Sequence, residues 1–88
     1  MSRQRSLEVI RQAEFVTIGE LVRLTGVRYS TLKFYTEEGL LPFEQAEENL
    51  TRRYRRQTSL QRIQEIRALR EAGRSIPEIK ALLGEKPS

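Results

Sequence analysis

Hydrophobic positions recur at helical spacing in five stretches of this chain and lose that spacing in one. Residues 6–14, "SLEVIRQAE", set Leu7 and Ile10, with Val9 beside them, on one side of a short helix that Ser6 can cap. A firmer start lies at Thr17, because Thr17-Ile18-Gly19-Glu20 has the form of a capping box, in which the glutamate reaches back to the cap amide. Ile18, Leu21 and Leu24 continue one apolar face. That helix is expected to stop at Thr25-Gly26, since glycine enters the left-handed conformation without the clash of a Cβ, and Val27 then packs beside the turn. The next helix runs from about Tyr29 to Glu38, with Leu32 and either Phe34 or Tyr35 inward, and Gly39 closes it. Two short helices around a tight glycine turn are the sequence form of a helix-turn-helix.

Residues 42–57 carry Pro42 and Asn49 and have no helical period, so a loop or small β-hairpin is expected there. From Thr58 a longer helix sets Leu60, Ile63, Ile66 and Leu69 at helical spacing and ends at Gly73. Ser75-Ile76-Pro77-Glu78 is a second capping box, with proline in the first turn, leading into Ile79, Leu82 and Leu83. The expected core is Phe15, Ile18, Leu21, Leu32, Leu40, Leu60, Ile63, Ile66, Ile79 and Leu82.

A chain of 88 residues is one small domain with little room for an enzyme cleft. It has no cysteine and no histidine, which removes disulfides, thiolate metal sites, the commonest zinc ligand and the commonest general base. No catalysis and no cofactor are expected. No apolar run approaches the roughly 20 residues that span a bilayer, and "MSRQRSLEVIRQ" lacks the apolar core of a signal peptide.

The net charge of +4 is informative only through its placement. "RRYRR", residues 52–56, sets four arginines around Tyr54, directly after "EEGLLPFEQAEE", residues 37–48, which holds five glutamates and no basic residue. This pattern fits a surface with one face toward a polyanion and another toward solvent. Each arginine offers a fork of donors to phosphate oxygens, and such contacts position a protein without reading sequence. Tyr54 has the alternative of packing under the basic segment. On the helix after Tyr29, Leu32 turns inward while Tyr29, Ser30 and Lys33 lie on the early, outward side. In a major groove, lysine can meet guanine acceptors, serine can bond to either partner, and an aromatic can contact a thymine methyl. Arg62, Arg67 and Arg70 have helical neighbours in Glu65 and Glu71, and Arg67 and Arg70 are read as paired, solvated surface.

"TIGELVRLTGV", "TLKFYTEEGLLP" and "IRALREAGRSIPEIKALL", in this order and with the basic segment before the last, resemble the amino-terminal DNA-binding domain of the MerR family of transcription regulators from about Phe15 to Leu83. The resemblance implies a mainly α fold, a winged helix-turn-helix with a small β-hairpin wing, here with an extra short N-terminal helix. Residues 1–14 are then an N-terminal extension, 15–84 the DNA-binding domain and 85–88 a tail. The resemblance places Arg28, Tyr29, Ser30 and Lys33 in the major groove, and Thr17, Tyr35, Arg52, Arg53, Tyr54, Arg55 and Arg56 on the DNA backbone. Lys33 stands where the family usually has arginine. Ser30 replaces the usual arginine two residues before Leu32, so a base preference does not transfer. The family's wing reads Gly-Tyr-Arg-x-Tyr, whereas "NLTRRYRRQTS" has one extra residue before Leu60 when Tyr54 is matched to the final tyrosine.

The function so implied is sequence-specific binding of double-stranded DNA in transcription regulation. The alternative is an architectural factor, similar to excisionases or to plasmid partition and packaging factors, that lines up on repeated sites; fold alone does not separate the two. Expected partners are double-stranded DNA, further copies of the chain on adjacent sites, and RNA polymerase or a recombinase, with no membrane. Family members usually continue into a dimerisation helix and an effector domain, and this chain stops before both, so no small-molecule effector is expected. Without a heptad seam the chain is expected to be monomeric or weakly self-associating in solution and to bind cooperatively. The expected location is the cytoplasm, on a bacterial nucleoid.

Overall fold

The computed structural model describes residues 5–47 and 50–84. In chain order the elements are α1 (Leu7–Gln12), β1 (Phe15–Val16), α2 (Ile18–Thr25), α3 (Tyr29–Glu37), β2 (Tyr54–Arg55), α4 (Arg56–Glu71), α5 (Ile76–Ile79) and a closing π-helical turn, Lys80–Gly84. The expected tail at 85–88, the first four residues of the N-terminal extension, and Glu48 and Asn49 of the loop lie outside the described residues.

Local chemistry accounts for the helix ends. Ser6 Oγ accepts the Val9 amide at 3.2 Å and starts α1, which buries Ile10 completely. Thr17 Oγ1 accepts the Glu20 amide at 3.1 Å while Glu20 Oε1 accepts the Thr17 amide at 3.0 Å, so two orphan donors of α2 are satisfied reciprocally. The helix ends on Gly26 at φ 75°, a conformation that favours glycine. From α3, Leu32, Tyr35 and Thr36 are buried. Of the two neighbouring aromatics, Tyr35 turns inward and Phe34 stays 44% exposed.

The wing is smaller than a full hairpin. Its arms join through one antiparallel bridge, Glu44↔Arg53, closed by amide-to-carbonyl bonds of 2.7 and 2.8 Å. The returning arm then leaves its partner and pairs with β1, in the register Phe15↔Arg55 and Val16↔Tyr54. Where this pairing ends α4 begins, two residues ahead of the expected start at Thr58, because the Arg56 amide donates to the Glu14 carbonyl at 2.9 Å and Arg55 serves as the cap residue.

The core gathers Ile10, Val16, Leu21, Leu32, Leu40, Leu41, Ile63, Ile66 and Ile79 with the rings of Tyr35 and Tyr54. Ile18 and Leu60 pack against it and are only partly buried. Two residues expected in the core lie outside it. Successive side chains of a strand point to opposite faces, so in β1 Val16 turns inward and Phe15 outward. Leu82 is 59% exposed, and Leu83 packs against the core instead. A π turn takes more residues per revolution than an α turn, so the position four residues after Ile79, not three, returns to the core. Among the described residues no helix is long and apolar enough to cross a membrane.

Candidate nucleic-acid interface

Helix α3 follows α2 across the Gly26 turn, with Arg28 as its cap residue, exposed and without a side-chain capping bond. Tyr29, Lys33 and Glu37 are spaced four apart and form one edge of the helix. Across from this edge stand Leu50, Thr51 and Arg52 of the wing, and the two walls enclose a groove of about 330 Å³ that Ile18 and Tyr54 help to line. Tyr29 is 54% exposed. Lys33 Nζ lies 3.6 Å from Glu37 Oε2 with both groups in solvent, a pair that holds the ammonium only weakly. Ser30 is exposed a quarter turn further round.

The four wing arginines divide into two pairs. The Arg52 guanidinium lies 4.6 Å from the centroid of Phe43, whose ring in turn tilts against Tyr54 at 6.1 Å. Arg53 lies 4.5 Å from the centroid of Phe15. Neither has a carboxylate partner among the described residues, so each is oriented by an aromatic face while its donor edges stay open. Arg55 also covers Phe15, at 4.9 Å, but Glu14 at 3.0 Å and Glu44 at 3.5 Å hold it. Arg56 donates through Nε to the Ala13 carbonyl at 2.7 Å and is half-buried. The second pair therefore ties the base of the wing to residues 13–15.

The other expected site residues are distributed as follows. Tyr54 takes the packing alternative: it is 1% exposed, and its hydroxyl lies 3.0 Å from Thr36 Oγ1. Thr36 spends its own proton on the Leu32 carbonyl at 2.9 Å, so Tyr54 is the donor. A ring this deep cannot meet a phosphate without opening the core. Tyr35 is 6% exposed. Ser59 Oγ is the one fully buried side-chain polar atom without a partner among the described residues, and Tyr35 lines a surface cleft with Ser30, Thr31, Phe34, Arg70 and Ile76. Thr17 uses its oxygen as the α2 cap and keeps a proton to donate.

Residues before the helix-turn-helix brace it. Arg5 meets the Glu20 carboxylate at 2.7 and 2.9 Å and the Phe15 carbonyl at 3.1 Å, and Arg23 closes back on the Arg5 carbonyl at 2.6 Å. The bond from Arg5, joined by the Thr17 amide, holds the Glu20 carboxyl below the usual carboxylate range. Sequence reasoning misses the aromatic shelves Phe15 and Phe43, the acids Glu14 and Glu44 that hold Arg55, and the exposed ring of Phe34. Helical spacing from Ser30 to Phe34 carries the last of these; the other signals are contacts between distant segments. Among the described residues no cluster of three or more histidine, cysteine or acidic side chains is arranged to hold a metal.

Residues 16–86 match the profile of the MerR HTH family of regulatory proteins. The chain is similar to an HTH-type transcriptional activator, a SoxR homologue of Chromobacterium violaceum, with 41% identity over 73 residues, 83% of this chain and 48% of that protein. It is also similar to the nodulation protein NolA of a Bradyrhizobium strain, with 42% identity over 71 residues, 81% of this chain and 30% of that protein. NolA of Bradyrhizobium elkanii shares 46% identity over 63 residues, 72% of this chain and 28% of that protein. The chain thus spans less than half the length of each of these relatives. No solved structure matches it significantly.

Proposed function

This chain belongs to the MerR family of helix-turn-helix regulatory proteins, and from that premise we propose that it binds double-stranded DNA sequence-specifically to regulate transcription. Helix α3 enters the major groove, where Arg28, Tyr29, Ser30 and Lys33 read base edges. Arg52 and Arg53 grip phosphates beside it, and Thr17 and the Tyr35 hydroxyl add backbone contacts. Arg55 and Arg56 hold the wing base in position. The observation that carries this reading is the pairing of the exposed α3 edge with an arginine of the wing across one open groove, reinforced by the absence of any carboxylate on Arg52 or Arg53 among the described residues.

A single DNA-binding module buries on the order of 600–1,000 Å² of protein surface, at the low end for specific binding. Several copies on adjacent sites are therefore expected to share a control region, and at a promoter the further partner is RNA polymerase. The work is done on the bacterial nucleoid, in the cytoplasm. The test is selection of bound fragments from sheared source DNA at about 150 mM salt, where purely electrostatic binding weakens. Enrichment of clustered repeats overlapping promoters is expected. Binding of duplex at low salt without enrichment of any sequence would overturn the specific reading.

A further inference from the structure

Phe15 is a large apolar side chain that the core does not use. Its neighbour Val16 turns inward, and the Phe15 ring turns outward, onto the face of the wing base that carries Arg53 and Arg55. We propose that Phe15 is a positioning residue for DNA binding: its ring holds the Arg53 guanidinium in place for a phosphate, and the segment before the helix-turn-helix thereby becomes part of the wing's grip. The inference rests on the DNA-binding reading above and names what sets the strength of that grip.

The β1–β2 register brings the groups together. Phe15 stands opposite Arg55, and residues two apart on a strand share a face, so Arg53 is the diagonal neighbour of Phe15, a distance that long and aromatic side chains span. The guanidinium of Arg53 lies 4.5 Å from the ring centroid and that of Arg55 4.9 Å. The two cations differ in what else holds them. Arg55 is neutralised by Glu14 at 3.0 Å and Glu44 at 3.5 Å, whereas Arg53 meets no carboxylate among the described residues. The negative face of the ring is then what orients Arg53, and it does so without occupying an N–H donor. A carboxylate in the same place would orient the guanidinium equally well and take up the donors that a phosphate needs.

The ring is itself fixed from behind. Val16 is 1% exposed and ties the strand to the core, and the Phe15 carbonyl accepts a bond from Arg5 Nη2 at 3.1 Å. Arg5 in turn meets both oxygens of Glu20, at 2.7 and 2.9 Å, and Glu20 closes the capping box of α2. A line of contacts therefore runs from α2 through Arg5 and Phe15 to Arg53. A free arginine side chain samples many rotamers and loses that freedom when it meets a phosphate; one already resting on a ring loses less. The ring thus adds affinity without touching DNA.

The test is a salt series of binding to random-sequence duplex, from about 50 to 200 mM, with the wild-type chain, Phe15→Leu, Phe15→Tyr, Arg53→Ala, and Phe15→Leu combined with Arg53→Ala. Leucine keeps an apolar side chain and removes the aromatic face; tyrosine keeps the face. Phe15→Leu is expected to weaken binding about two- to fivefold at every salt concentration, the size of an exposed cation–π contact. Its slope of log affinity against log salt should stay at the wild-type value, because Arg53 still reaches its phosphate, and Phe15→Tyr should bind as the wild-type chain does. Arg53→Ala should lose about 0.9 of that slope, and in its background Phe15→Leu should have no further effect. Circular dichroism is expected to be unchanged throughout. Wild-type affinity in Phe15→Leu, an equal loss with and without Arg53, or a Phe15→Tyr as weak as Phe15→Leu overturns the positioning role while leaving DNA binding intact. A lowered slope in Phe15→Leu overturns it as well, since the ring would then support the wing as a whole. Failure of the wild-type chain to bind any duplex at low salt defeats the DNA reading itself, and the role of Phe15 with it.

Discussion

Arg52 and Arg53 lie on one side of Tyr54, Arg55 and Arg56 on the other, and the two pairs do different work with the same side chain. The first pair rests on aromatic faces and meets no acid among the described residues. The second is engaged by Glu14, Glu44 and the Ala13 carbonyl. A run of basic residues is thus not one electrostatic patch. What a guanidinium can do for a ligand depends on which protein groups already occupy its donors, and buried Tyr54 is the point at which the chain changes from wing to scaffold.

The sharpest way to break this division is a pair of double variants. Arg52→Ala with Arg53→Ala should lower the salt slope of DNA binding by about 1.8, two contacts at about 0.9 each, and leave thermal stability unchanged. Arg55→Ala with Arg56→Ala should do the reverse, costing about 1–2 kcal/mol in denaturant unfolding with little change in slope, since it removes the charged donor of a half-buried carbonyl. Equal slopes for the two doubles would erase the distinction.

Tyr54→Phe probes the boundary between the pairs. It removes one buried hydrogen bond to Thr36 and should cost about 1 kcal/mol, with a wild-type salt slope. A reduced slope in this variant would return Tyr54 to the DNA surface.

The N-terminal brace has a pH signature. Glu20 titrates below its ordinary range because Arg5 bonds to its charged form. Its contribution is therefore complete above the unfolded carboxylate value, about 4.3, and is lost as pH falls through the lower folded value. Unfolding followed from pH 6 downward should show an acid limb that Glu20→Gln flattens; an unchanged limb would mean that the brace is energetically idle.

The smallest effect is expected from Glu14→Gln. The Glu14–Arg55 pair is exposed, at 71% and 53%, and is worth at most about 1 kcal/mol. Loosening it should raise the salt slope by less than one contact, because Glu44 still holds Arg55. A fall in slope would show Glu14 positioning Arg55 on DNA instead of withholding it.

Much of the fold is legible in the residues because it is local. The two capping boxes, the Gly26 turn and the helical spacing of Leu60, Ile63 and Ile66 are each written within a few positions and appear as expected. The exposed edge of α3 follows from the same spacing. What escapes has a common cause. Phe15-Val16 is a two-residue strand, too short for alternation to register, so hydrophobicity alone puts Phe15 in the core and passes over Val16. Glu14 as a partner of Arg55 and Ala13 as a partner of Arg56 lie 41 and 43 residues away and become neighbours only through the β1–β2 pairing. Leu82 is turned outward by a π turn that its local sequence does not announce. Glu65 pairs with Arg62 at the three-residue spacing that a helix permits, and the same rule leaves Arg70 without an acid three or four residues away.

The most direct test of the central claim compares affinity for a selected site with affinity for a scrambled duplex, measured at one salt concentration for the wild-type chain, Tyr29→Ala and Arg53→Ala. If α3 reads bases and the wing grips phosphates, Tyr29→Ala lowers the ratio of the two affinities, while Arg53→Ala lowers both and leaves their ratio standing. If both variants lose binding to the two duplexes in equal proportion, the division of labour between α3 and the wing is wrong.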